Sequence, residues 1–80
     1  MELTVLLFAS YAETLGTDRV HLVLEPGTTV QALVDRLRAV PGGEQLPARP
    51  LVAVNRRYSP YDQLIAPGDE VAVIPPVAGG

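Results

Sequence analysis

Only one long stretch of this chain carries helical periodicity. Val30, Leu33, Val34 and Leu37 recur at helical spacing and form a single apolar stripe. Gln31, Asp35, Arg36 and Arg38 take the remaining surface. Upstream, Glu25-Pro26-Gly27-Thr28 has the chemistry of a type II turn, with Pro presetting φ at the second position and Gly accepting positive φ at the third. Thr28 is expected as the helix N-cap, with Gln31 as its capping-box partner. Pro41-Gly42-Gly43 stops the helix. One helix of this length can cover one face of one small sheet, which limits the chain to an α+β pair of layers.

The strands that such a helix would cover are legible on both sides of it. Residues 3–8 alternate, with Leu3, Val5 and Leu7 on one face and Thr4, Leu6 and Phe8 on the other. A short helical segment is expected around Tyr11 to Leu15, closed by Gly16. Residues 19–24 read as a second strand, joined to the first as a hairpin with a long connection. Residues 44–50 form a polar, proline-bearing loop, and 51–54 a short apolar strand. Asn55-Arg56-Arg57 is a turn. Residues 58–65 are irregular, with Leu64 expected as a core plug. Ala66-Pro67-Gly68-Asp69 repeats the Pro-Gly turn, and residues 70–74 form the last strand. Pro75-Pro76 ends it, because proline cannot donate to a ladder. This order suits a β-grasp (ubiquitin-like) roll: a mixed four- to five-stranded sheet on one main helix. Residues 1–74 are expected as the domain and 75–80 as an extended C-terminal tail.

Composition removes several kinds of chemistry. Eighty residues make one domain with a modest core. With no Cys there are no disulfides, thiolate metal sites or thiol nucleophiles, so any sulfur handled must come from outside. The lone His21 cannot build a metal site, and neither a metal nor a bound cofactor is expected. The net charge is −3 and the six cationic side chains are all scattered Arg, so no nucleic-acid partner is expected. Without Lys, the chain cannot accept lysine-linked conjugation to itself; composition bias explains that absence most simply. No apolar run approaches the ~18 residues of a membrane span, so no membrane partner is expected. Met1-Glu2-Leu3-Thr4 lacks the basic start of a signal peptide, and a cytoplasmic location is expected.

Two features remain unexplained by folding alone. If Leu3, Val5 and Leu7 face the helix, Leu6 and Phe8 point away from it. If Val71 and Val73 face inward, Ala72 and Ile74 point outward. With the first and last strands as neighbours, Phe8 and Ile74 share an uncovered face, and an exposed apolar face marks a protein interface. The alternative is that loop 44–50 or 58–65 folds over it.

The second feature is the ending, Pro75-Pro76-Val77-Ala78-Gly79-Gly80. It follows directly on a strand, is stiffened by two prolines and tapers to bare backbone. Extended, its six residues reach roughly 20 Å. Such a tail suits a narrow channel in a partner, with the Gly80 carboxylate as the reactive group. Adenylation by ATP would activate that carboxylate. Attack by sulfur would then give a thiocarboxylate, and attack by an amine an amide conjugate.

On these residues the chain resembles the small, sulfur-carrying subunits of molybdopterin synthase (MoaD-type). The resemblance runs through Val5-Leu6-Leu7-Phe8-Ala9, Gly16, Pro26-Gly27-Thr28-Thr29-Val30, Ala53-Val54-Asn55, Gly68-Asp69-Glu70-Val71-Ala72 and the Pro-Pro-Val-Ala-Gly-Gly ending. It implies a carrier that is not an enzyme alone. A ubiquitin-activating-like adenylyltransferase would consume ATP to adenylate Gly80, and a sulfur donor protein would make the thiocarboxylate. The large catalytic subunit would accept the tail in a heterotetramer, and sulfur would pass to cyclic pyranopterin monophosphate. By the same resemblance Phe8, Tyr58 and Ile74 fall at partner-interface positions. Ala12, Val73 and Ile74 stand where many members carry Arg or aromatic residues.

Other readings stay open at this point: a sulfur carrier for thiamine or tRNA thiolation, a ubiquitin-like modifier of other proteins, or an interaction domain with an inert tail. Asp69 and Glu70 are adjacent and so point apart in a strand; they read as turn charges rather than an acid–base pair. Asn55 fits a left-handed turn position. His21 reads as a strand surface residue. Arg56 and Arg57 read as solvated loop charges that could help to dock an acidic partner.

Overall fold

In the computed structural model, which describes residues 1–76, the chain forms five strands and two α-helices. In chain order they are β1 (Glu2–Leu7), α1 (Ala9–Leu15), β2 (Arg19–Val23), α2 (Val30–Arg38), β3 (Leu51–Val54), β4 (Arg57–Tyr58) and β5 (Val71–Ile74), with a single 3-10 turn at Gly43–Gln45. The sheet order is β2-β1-β5-β3-β4. β1 and β5 run parallel at its centre, and the other neighbours are antiparallel. This is the β-grasp expected from the element order, with five strands.

The alternation along the strands selects the covered face. Leu3, Val5 and Leu7 of β1, Leu22 of β2, Val52 and Val54 of β3, and Val71 and Val73 of β5 are buried. They pack in one cluster with Val30, Leu33, Val34 and Leu37 of α2. Burying each such aliphatic side chain contributes about 1.5–3 kcal/mol, so this layer dominates the stability. β1 and β2 form the hairpin with α1 in its connection. Gly16 closes α1 at φ 72°, and Tyr11 sends its ring into the core.

Both Pro-Gly turns form as their chemistry dictates. Gly27 and Gly68 each adopt φ 86°, with Thr28 N–H donating to Glu25 O and Asp69 N–H to Ala66 O. The capping expectation is corrected by one residue. Thr29, not Thr28, is the N-cap of α2, and its hydroxyl accepts from Ala32 N at 3.2 Å. Thr28 instead donates its hydroxyl to Glu25 O and closes the turn. Gln31 donates to Asp35 rather than completing a capping box. Two adjacent threonines offer the same chemistry, and the tight turn takes the first.

A second correction concerns the core plug. Leu64 is 63% exposed, whereas Ile65 is 4% exposed and lies in the core. An isolated bridge pairs Thr29 with Leu64, flanked by Val30 N–H to Gln63 O and Ile65 N–H to Thr28 O, both at 2.9 Å. That pairing fixes the alternation and turns Ile65 inward. It also ties residues 59–65 to the start of α2, where Gln31 N–H donates to Tyr61 O. The Tyr61 hydroxyl donates to Pro50 O, and the Arg49 guanidinium stacks 4.4 Å from its ring centroid. Burial raises the Tyr61 pKa, and Arg49 partly opposes that shift. Leu46, from the preceding loop, is buried in the helix-side core, and its carbonyl accepts from Arg38 Nε. Both loops that could have covered the second face of the sheet are therefore held to α2.

Candidate docking face and tail exit

The uncovered face is built row by row from the strand register. Leu6 of β1 lies beside Ala72 of β5, Ala72 beside Ala53 of β3, and Ala53 beside Tyr58 of β4. Directly opposed residues share a face, so these four form one row across β1, β5, β3 and β4, which Arg19 of β2 continues beside Leu6. Toward the end of β5 a second row holds Ile74 beside Leu51. Phe8, one residue past the Leu7–Val73 pair, lies on the other side of Ile74. The two alanines leave the middle of the face low between taller neighbours. The result is a depression of about 590 Å³ lined by Leu6, Phe8, Ala53, Tyr58, Ala72 and Ile74, with Arg56 and Glu70 at its charged end. Tyr58 is 69% exposed and Phe8 46%.

The structure thus brings Phe8, Tyr58 and Ile74 onto one surface, although they come from three separate segments. β3 reads as a plain apolar strand in the sequence, yet Leu51 and Ala53 belong to this surface too. The signal was there: a strand with four consecutive apolar residues has apolar groups on both faces.

The face ends where the tail begins. Ile74 is the last residue of β5, and Pro75 and Pro76 follow beyond the ladder, half-buried and exposed respectively. Neither can donate a backbone hydrogen bond to β1 or β3, so the chain leaves the sheet here. Val77, Ala78, Gly79 and Gly80 lie outside the described residues.

At its other end the face is closed by a polar clamp. Asn55 and Arg56 form the two-residue β3–β4 turn at φ 53° and 69°. Asn55 N–H donates to Glu70 O at 2.7 Å, its side-chain oxygen accepts from Glu70 N at 2.9 Å, and its Nδ2 donates to Asp69 Oδ1 at 2.9 Å. The Asn55 amide thereby continues the β3–β5 pairing where the strands diverge. Asp69 Oδ2 also accepts from Ala66 N at 2.8 Å. That backbone hydrogen bond, followed by the one from Asn55, holds the Asp69 carboxyl below the usual carboxylate range. The Asn55 side chain, the Asp69 carboxylate and the Glu70 backbone are therefore occupied in structure. Arg56 Nε lies 3.7 Å from Glu70 Oε1. His21, on the β2 surface, pairs with Thr4 Oγ1 at 3.1 Å. Among the described residues no group of three or more His, Asp or Glu side chains could hold a metal ion.

The arrangement offers a shallow apolar platform that runs to the end of β5. Known proteins share this architecture. SAMP1, a small archaeal modifier protein of Haloferax volcanii, superimposes with a TM-score of 0.84 at 29% identity over the whole of both chains. A molybdopterin synthase sulfur carrier subunit from Arabidopsis thaliana is 33% identical, covering 100% of this chain and 84% of the relative. One of the same description from Mycobacterium tuberculosis is 37% identical, covering 100% and 99%. The model of the ThiS family matches residues 5–80, so the chain belongs to that family of ubiquitin-like β-grasp proteins.

Proposed function

We propose that this chain is the sulfur-carrying subunit of a molybdopterin synthase, and that its reactive group is the carboxylate of Gly80. The observation that carries the reading is the continuity of the open apolar face with the end of β5, where Pro75 and Pro76 follow Ile74 beyond the ladder. A platform of this kind lets a partner hold the domain while the tail enters its active site. The names borne by the relatives support the choice of synthase.

The chemistry runs through the main chain. A Gly80 carboxylate oxygen attacks the α-phosphorus of ATP on an adenylating enzyme, and pyrophosphate leaves. A hydrosulfide equivalent from a sulfur donor protein attacks the acyl carbon, and AMP leaves, giving the thiocarboxylate. On the large subunit that sulfur bonds to a carbon of cyclic pyranopterin monophosphate as a C–O bond of the same carbon breaks, the oxygen leaving with the electron pair. Water then cleaves the acyl–sulfur bond and restores the carboxylate. Within this chain, Pro75 and Pro76 limit the freedom lost when the tail is inserted. Gly79 and Gly80 let the backbone approach partner groups closely. Phe8, Tyr58 and Ile74 supply the apolar grip.

The test is intact mass measurement on protein from its native host, combined with a thiol-reactive label. One oxygen replaced by sulfur adds about 16 Da, and the label separates this from oxidation of Met1, in a chain without Cys. Deleting Gly79-Gly80 is expected to abolish sulfur transfer and leave folding intact. Cofactor synthesis by the truncated protein would refute the reading. The likeness to SAMP1 favours one further role, attachment to other proteins, which starts from the same adenylate. Conjugates carrying the chain on a target lysine would mark it.

A further inference from the structure

The β3–β4 turn contains a residue that its backbone does not favour. A two-residue hairpin turn with positive φ at both central positions is the type I′ turn, whose preferred sequence is Asn-Gly. Asn55 fits its place, but the second place, at φ 69°, holds Arg56. A side chain there is strained, and glycine would relieve the strain. Residues held in such conformations concentrate where they serve binding or chemistry.

Local interactions do not account for the arginine. Its side chain is 87% exposed, and among the described residues the guanidinium makes one ion pair, at 3.7 Å to Glu70, and no hydrogen bond. An exposed pair at that distance contributes little to stability. Asn55 and the Glu70 backbone are fixed by the clamp without it. What Arg56 has is position: it stands at the charged end of the depression, across from Phe8 and Ile74 at the tail end.

We infer that Arg56 is a docking residue, kept against the backbone's preference because its guanidinium meets a carboxylate on the partner that covers the open face. The inference rests on the reading that the large synthase subunit docks on this face, and it adds the chemistry of that subunit's contact edge: an Asp or Glu seated beyond Tyr58. The planar, five-donor guanidinium suits bidentate pairing with a carboxylate, and the long pair to Glu70 leaves its donors open to one. As a rim charge, Arg56 acts mainly on association rate and its salt dependence.

The experiment compares Arg56→Gly, Arg56→Lys and Phe8→Asp in the full chain. It measures melting temperature, and association with the large molybdopterin synthase subunit of the same organism at low and high salt. Arg56→Gly is expected to raise Tm by several degrees while slowing association by about three- to tenfold at low salt, a difference that fades as salt is added. Arg56→Lys keeps the charge and most of the wild-type rate without the gain in Tm. Phe8→Asp abolishes binding. If Arg56→Gly binds at the wild-type rate at every salt concentration while Phe8→Asp fails, the docking role of Arg56 is wrong and the docking face stands. If Phe8→Asp binds normally, or the wild type does not bind, the reading beneath it is wrong as well.

Discussion

The helix-covered face of the sheet and the β1–β5–β3 part of its other face are both apolar and have opposite fates, whereas the β2 side of the open face is polar, with His21 beside Thr4 and Arg19 beside Leu6. The face under α2 carries Leu and Val in close contact, with several side chains fully buried. The opposite face also carries Leu, Ile, Phe and Ala, yet remains open, because both long loops are tied to the helix side. Hydrophobicity alone therefore does not distinguish core from contact surface here. The distinction lies in what the rest of the chain is free to cover. An antiparallel sheet tolerates a wet face when that face is polar; an apolar one left uncovered signals a partner.

The sharpest way to break this contrast is a matched pair of truncations. Leu33→Ala, under the sheet, is expected to cost about 2–5 kcal/mol of stability, a large share of what an 80-residue domain possesses. Phe8→Ser, on the open face, is expected to stay within about 0.5 kcal/mol of the wild type in denaturant unfolding. Equal losses would mean that the open face belongs to the core after all.

A smaller effect probes how tightly the helix side is closed. A Cβ on Gly43 would lie 2.2 Å from Leu37 O and 3.0 Å from the Arg38 backbone. Gly43→Ala must push the loop off the end of α2, and the expected cost is about 1–3 kcal/mol. Unchanged thermal unfolding would show that the loop is not pinned there.

The smallest effect concerns the clamp at the charged end of the open face. The folded state holds Asp69 below its ordinary pKa, through Ala66 N–H and then Asn55. Its contribution is therefore complete above the unfolded value of about 3.9 and is lost as pH falls through the lower folded value. Because the carboxylate lies near solvent, the loss is small. Thermal melts taken across the range below about pH 4 should fall less steeply in Asp69→Asn than in the wild type; identical slopes would remove Asp69 from the clamp.

Much of this was readable before any coordinates. The stripe of α2, both Pro-Gly turns, the cap at Gly16, the left-handed Asn55 and the outward direction of Leu6, Phe8, Ala72 and Ile74 all follow from local rules. The errors were equally local in scale. Thr28 and Thr29 differ only in which of them the turn consumes. Leu64 and Ile65 differ only in the phase of their alternation.

Periodicity and turn chemistry act over a few residues, so the chain by itself settled the helix, the strands, the parity of each strand and the proline-stiffened ending. What it could not settle were matters decided by pairing across long separations. The Thr29–Leu64 bridge sets which residue of 64 and 65 enters the core. The β1–β5 and β3–β5 ladders place Phe8, Tyr58 and Ile74 around one depression. The anchoring of residues 44–50 and 59–65 to α2 leaves that depression open. Each depends on hydrogen bonds between segments far apart in the chain, whose geometry exists only once the whole sheet has formed.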